Sequence, residues 1–336
     1  MFSAFVLVLA AALAGCEGAP ERVVLRGATM GTTWSVAYGG DAGLAAEAAR
    51  SLIEEELVVI NDVLSTYLPD SEISRLNATA GDTDVLLSER FADVLDSALA
   101  WSQATGGAYD VTVGPLVELW GFGAAEFTGA VPGPDAIETA RSLVGAQRLI
   151  WDANTRRLQR PAGIRIDLSS IAKGYAVDRL SALLAEQGIG SSLVEIGGEL
   201  RARGERPEGG AWRLAVESPD PAESRFIDAL SVVDASVATS GDYRNYFEVE
   251  GRRYSHLVDP RTGFPVDHEL VSVTVVHKEC MVADALATAL IVMGLDDALA
   301  LAEERDLAAH FVTRDGDGLA VHYTEAFRPY RLQEAR

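Results

Sequence analysis

The property that most constrains how this chain can fold is a hydrophobic period that changes repeatedly along it. Residues 44–64 place Leu52, Ile53, Leu57, Ile60 and Leu64 on one helical stripe. Ser88 is positioned to cap a second helix, whose Phe91, Leu95, Ala98, Leu99 and Ser102 share a face before Gly106-Gly107 ends it. Residues 135–144, 171–187 and 282–293 read as further helices. Between them, residues 25–38, 163–167, 191–196 and 271–277 read as strands. Hairpins are expected at residues 243–249 with 253–259, around Glu250-Gly251, and at 310–314 with 319–323, around Asp315-Gly316-Asp317-Gly318. Strands and helices mix without a steady βαβ rhythm, so the expected class is α+β with mixed sheets and helices. No repeat and no long linker divides the chain, and a single compact unit is expected.

Charge narrows the function. Fifty acidic residues stand against 28 basic ones, a formal net charge of −22. Non-specific nucleic-acid binding requires a basic surface, so no nucleic-acid partner is expected. All but two of the basic residues are Arg; the exceptions are Lys173 and Lys278.

Residues 2–14 form an uncharged apolar run ending in Leu13-Ala14-Gly15-Cys16. A membrane-spanning helix needs roughly 18 to 20 such residues, whereas this run has the length of a signal-peptide core. The tetrad resembles a bacterial lipoprotein signal, with residues 1–15 removed, Cys16 lipidated and residues 16–22 a tether before a domain over 23–332. The start lacks the usual basic residues. Cys280 is the only other cysteine, which excludes an intrachain disulfide if Cys16 is acylated, and it reads as a small buried hydrophobe.

No dinucleotide-type glycine fingerprint, Walker loop or nucleophile elbow occurs. Three other constellations can carry chemistry. In Asp167-Leu168-Ser169-Ser170-Ile171-Ala172-Lys173-Gly174 a strand is expected to run into a helix, whose first amides attract anions. A first-turn lysine opposes the helix dipole by a few tenths of a kcal/mol, and an anion beside it reverses that sign. Lys173 therefore has either a phosphate neighbour or no partner. Asp284 and Thr288, four residues apart on a helix, present a carboxylate and a hydroxyl side by side, suited either to Mg²⁺ or to ordinary packing. In Tyr254-Ser255-His256-Leu257-Val258-Asp259-Pro260-Arg261-Thr262-Gly263, strand alternation sets Tyr254, His256 and Val258 on one face, and His256 is either a general base or a structural histidine.

These segments occur in order with Met30-Gly31-Thr32, Leu64-Ser65-Thr66-Tyr67, Tyr109-Asp110-Val111-Thr112-Val113-Gly114-Pro115-Leu116, Ile196-Gly197-Gly198-Glu199 and Thr239-Ser240-Gly241-Asp242-Tyr243. Together they resemble the ApbE-type flavin transferases over residues 23–331. The resemblance implies a T-fold-like catalytic unit that splits FAD, releases AMP and joins FMN to a Thr or Ser hydroxyl of another protein. It places Met30, Tyr67, Ala108, Tyr109, Asp110, Asp167, Lys173 and Val258 around FAD. It gives Mg²⁺ to Asp284, Thr288 and the carbonyl of Ser170, where many relatives carry a smaller residue. His256 would activate the acceptor hydroxyl, and Lys173 would stabilise developing charge. By the same resemblance the protein is exported and lipid-anchored to a bacterial membrane, facing the periplasm. Its acceptor would be an exported domain of a respiratory or electron-transfer complex bearing a Ser/Thr flavinylation motif. The alternatives are an FAD pyrophosphatase using the same metal site and a periplasmic flavin-binding lipoprotein without turnover.

Overall fold

The computed structural model describes residues 22–39, 43–123, 130–220, 226–243, 245–316 and 318–332. The leader, Cys16 and the tether up to residue 21 lie outside these residues.

Eight strands build one antiparallel sheet in which spatial order follows chain order. They are β1 (Arg22–Thr29), β2 (Thr32–Gly39), β3 (Ser192–Ile196), β4 (Glu199–Arg203), β5 (Ala235–Gly241), β6 (Leu270–His277), β7 (Ala308–Asp315) and β8 (Gly318–Tyr323). The functional segments are insertions into this meander. Between β2 and β3 come α1 (Ala46–Leu64), α2 (Glu89–Ala104) and α3 (Ala172–Glu186), and between β6 and β7 comes α4 (Cys280–Met293). The α1 stripe buries Ile53, Leu57, Ile60 and Leu64, and Ser88 caps α2 by accepting the Phe91 amide, as the periodicity requires. Helices α1, α3 and α4 pack on one face of the sheet. The other face is covered by the hairpin of Trp212–Glu217 and Phe226–Val232 and by the turn at Glu325–Tyr330, around Trp212, Leu230 and Phe327. Strand β6 is buried along nearly its whole length, because both faces of the sheet are covered at its centre.

Two expectations need correction. Residues 163–167 form no strand: Gly163 stands in a turn at φ 82°, and residues 164–167 belong to no sheet. The Asn77 side chain takes both polar groups of Ile166, at 2.8 and 2.7 Å, and the Asp167 amide donates to the Val111 carbonyl at 2.6 Å. Side-chain and single backbone bonds thus replace a ladder. The strand here is Arg157–Arg160, central in a small sheet with Thr83–Leu86 and Ile150–Asp152. Ser169-Ser170 is a turn, not the end of a strand. Both expected hairpins form. One turns at Glu250 and Gly251, both at positive φ (52° and 77°), and the other joins β7 to β8.

Candidate active site

A cleft of about 460 Å³ opens where the α3 N-terminus, α4, the β3–β4 turn and the end of β5 converge. The His256 hairpin and the long β2–β3 insertion close its sides. It is lined by Tyr67, Ala108, Tyr109, Asp110, Asp167, Ser170, Lys173, His256, Val258, Asp284 and Thr288. Met30 does not line it. That residue occupies the β1–β2 turn at φ 48°, and its neighbour Thr32 lies against Gly197 at the cleft edge.

The polar centre is a lysine between two carboxylates. Lys173 Nζ lies 3.1 Å from Glu199 Oε1 and 3.6 Å from Asp284 Oδ1. The other Asp284 oxygen accepts the Gly174 amide at 3.0 Å. Burial pushes the Asp284 carboxyl upward, and Lys173 offsets that only in part. Burial pushes the Glu199 carboxyl upward, the Lys173 ammonium 3.1 Å away works against that rise, and the Asp284 charge adds to it. Burial works against the Lys173 charge, but Asp284 and Glu199 outweigh it and raise its pKa. The immediate partners of Lys173 are thus carboxylates, a third arrangement beside the two weighed from the sequence. Next to them, the hydroxyls of Thr288 and Ser240 are 3.2 Å apart.

His256 is held by one residue. Its backbone amide and its Nδ1 both meet the Asn245 carbonyl, at 3.1 and 3.0 Å. A carbonyl only accepts, so Nδ1 carries the proton and Nε2 keeps a free lone pair. Burial lowers the His256 pKa, which favours the neutral ring. Phe122 stands edge-on to the imidazole, with ring centres 6.2 Å apart. Behind it, Phe247, Tyr254 and Trp120 continue a stack at 5.3, 5.2 and 5.6 Å, fixing the hairpin to the helical insertion.

The remaining expected residues divide by role. Asp110 accepts the amides of Thr112 and Ala146 at 2.8 and 2.9 Å and the Thr112 hydroxyl at 2.6 Å, so its carboxylate organises the loop behind the cleft. Tyr109 is buried, which raises its pKa, and its hydroxyl accepts from Ser170 at 3.2 Å. Tyr67 is 75% exposed on the rim, a flat ring available for stacking. Glu199, Asn245 and Phe122 were missed as site residues. Glu199 stands in the Ile196-Gly197-Gly198-Glu199 segment, where a sequence signal existed. Asn245 acts through its backbone carbonyl, which no side-chain pattern reports.

The family model for the ApbE family matches residues 30–311. The chain belongs to the ApbE family. A Vibrio cholerae relative, FAD:protein FMN transferase, is 41% identical over 319 residues, spanning 95% of each chain. The Escherichia coli K12 protein of the same name is 36% identical over 98% of this chain and 97% of its own. The ApbE flavin transferase structure from Vibrio cholerae superimposes with a TM-score of 0.86 at 38% identity, covering 93% of this chain and 99% of that one. The ApbE protein from Thermotoga maritima gives 0.84 at 30% identity, covering 93% and 100%. The α+β architecture is thus that of solved ApbE flavin transferases.

Proposed function

We propose that this enzyme transfers FMN from FAD to a Ser or Thr hydroxyl of an acceptor protein, with release of AMP. The observation that carries the reading is a single cleft holding both a base with a free nitrogen, His256 Nε2, and a buried cluster of two acidic side chains around one ammonium, Lys173–Glu199–Asp284. The family's activity is phosphoryl transfer, which needs positioning and charge stabilisation more than covalent help.

Two buried carboxylates against one ammonium leave room for a cation, and Asp284, Thr288 and the Ser170 carbonyl offer the hard oxygens that Mg²⁺ prefers. Among the described residues no three His, Cys, Asp or Glu side chains form a metal cage. Mg²⁺ does not require one when waters and substrate phosphates complete its shell. Bound there, it would supply positive charge to the pyrophosphate.

The rest falls to the chain's own groups. Tyr67 stacks a flat ring, and Lys173 at the α3 N-terminus faces the phosphates. The acceptor oxygen bonds to the FMN phosphorus as the bond to the bridging pyrophosphate oxygen breaks. AMP leaves with that oxygen, and the hydroxyl proton passes to His256 Nε2. General-base help of this kind is typically worth about 10² to 10⁴ in rate. Export, attachment through lipidated Cys16 and an acceptor domain of an exported electron-transfer complex belong to the same proposal, supported by the Leu13-Ala14-Gly15-Cys16 tetrad.

Product analysis tests it. The protein is incubated with FAD, Mg²⁺ and a candidate acceptor. Acceptor that gains the mass of FMN, with matching AMP, supports transfer. AMP and free FMN with an unmodified acceptor would assign a hydrolase instead, and flavin binding without AMP would assign a carrier.

A further inference from the structure

Glu199 is the one member of the buried charge cluster to which the reaction above gives neither a metal nor a substrate contact. It opens β4 directly after Gly197-Gly198, both at positive φ. A Cβ on Gly197 would stand 2.8 Å from Thr32 and 3.4 Å from Lys173 Cδ, so the turn presses close against the lysine stem. Glu199 is 4% exposed and lines the cleft. Its Oε1 is closer to the ammonium than Asp284 is, 3.1 against 3.6 Å, and its Oε2 is buried without a hydrogen-bond partner. Without Glu199, Lys173 would have Asp284 as its sole carboxylate partner among the described residues. The attraction that neutralises one charge removes it from reach of another cation.

We infer that Glu199 is a positioning residue for metal binding: by pairing with Lys173 it leaves the charge of Asp284 free for Mg²⁺, while holding the ammonium beside the same site. The inference rests on the Mg²⁺ reading above. Its claim is directional, because removing a carboxylate that binds no metal should weaken metal binding, and removing the ammonium as well should restore it.

The test uses Mn²⁺ as a paramagnetic probe, titrated into the FAD-free full-length protein and followed by electron paramagnetic resonance. Wild type should bind Mn²⁺, and Asp284→Ala should lose that binding. Glu199→Gln, of equal size, should weaken it by about tenfold, and Lys173→Met/Glu199→Gln should return it to about the wild-type value. Wild-type affinity in Glu199→Gln, or a double variant as weak as the single one, overturns the inference while leaving the metal site intact. No Mn²⁺ binding by wild type, or undiminished binding by Asp284→Ala, overturns the metal reading and this inference with it. If Glu199→Gln fails to fold, Lys173→Met alone decides: tighter Mn²⁺ binding supports the inference, and unchanged or weaker binding overturns it.

Discussion

The amide of Gly174 donates to the Asp284 carboxylate at 3.0 Å, joining two helix starts that lie 110 residues apart in sequence. The contact requires a glycine, because a Cβ at position 174 would run into the Cys280 carbonyl and come within 2.7 Å of Met281 Cα. The crossing of α3 and α4 therefore sets where Asp284 stands.

Gly174→Ala is expected to push these helices apart. Overpacking against backbone typically costs about 1–3 kcal/mol, so the thermal midpoint should fall by several degrees. Because Asp284 moves with the crossing, the Mg²⁺ concentration for half-maximal activity should rise in the same variant. A lower midpoint with unchanged Mg²⁺ dependence would separate the crossing from the site.

The pH profile should report His256. The base must be neutral to accept a proton, and burial lowers its pKa below the ordinary histidine value. Transfer at saturating FAD should therefore rise with pH through a midpoint below about 6.5 and be flat across neutrality. His256→Gln should retain FAD but transfer about 10²-fold or more slowly, without that acid limb. On acidification the unfolded chain takes up this proton before the folded one, so wild type should lose more stability than His256→Gln between about pH 7 and 5. A full-rate variant, or an unchanged limb in the variant, would remove His256 from proton transfer.

Asp110 is expected to behave as a structural residue. Asp110→Ala leaves the buried amides of Thr112 and Ala146 without their acceptor and should destabilise the fold by about 3 kcal/mol, measured by chemical denaturation. Full stability with a loss of FAD affinity alone would mean that its carboxylate serves the ligand directly.

Tyr67 should show the opposite pattern. Exposed on the rim, it contributes little to the core, so Tyr67→Ala should leave the thermal midpoint unchanged. Losing a stacking surface worth about 0.5–1.5 kcal/mol should raise the KM for FAD by up to about tenfold, and Phe at the same position should restore it. Equal KM values in all three proteins would exclude stacking at this position.

The longer helices were legible in the sequence, as Ile53, Leu57 and Ile60 in α1 and Ser88 before α2 show, whereas the helices Glu72–Ala78, Gly114–Leu119 and Leu295–Glu304 were not, the first two being too short to carry a period. Asp284 and Thr288 could be paired by helical spacing alone. The segment leading to Asp167 was misread because alternating apolar residues look alike whether their backbone pairs with a strand or with the side chain of Asn77. The place of Lys173 between Glu199 and Asp284 depends on the β3–β4 turn meeting the α3–α4 crossing, a long-range convergence that no local period encodes. The resemblance located most of the cleft, and the structure added what holds it together: the Asn245 carbonyl, the ring stack behind His256 and Glu199.

Intact mass of a candidate acceptor, after incubation with FAD and Mg²⁺ and either wild-type enzyme or Asp284→Ala, is the most direct measurement. Wild type should add one FMN to the acceptor and release an equal amount of AMP, and Asp284→Ala should do neither. Acceptor flavinylated at the wild-type rate by Asp284→Ala would contradict the metal-assisted transfer proposed for this cleft.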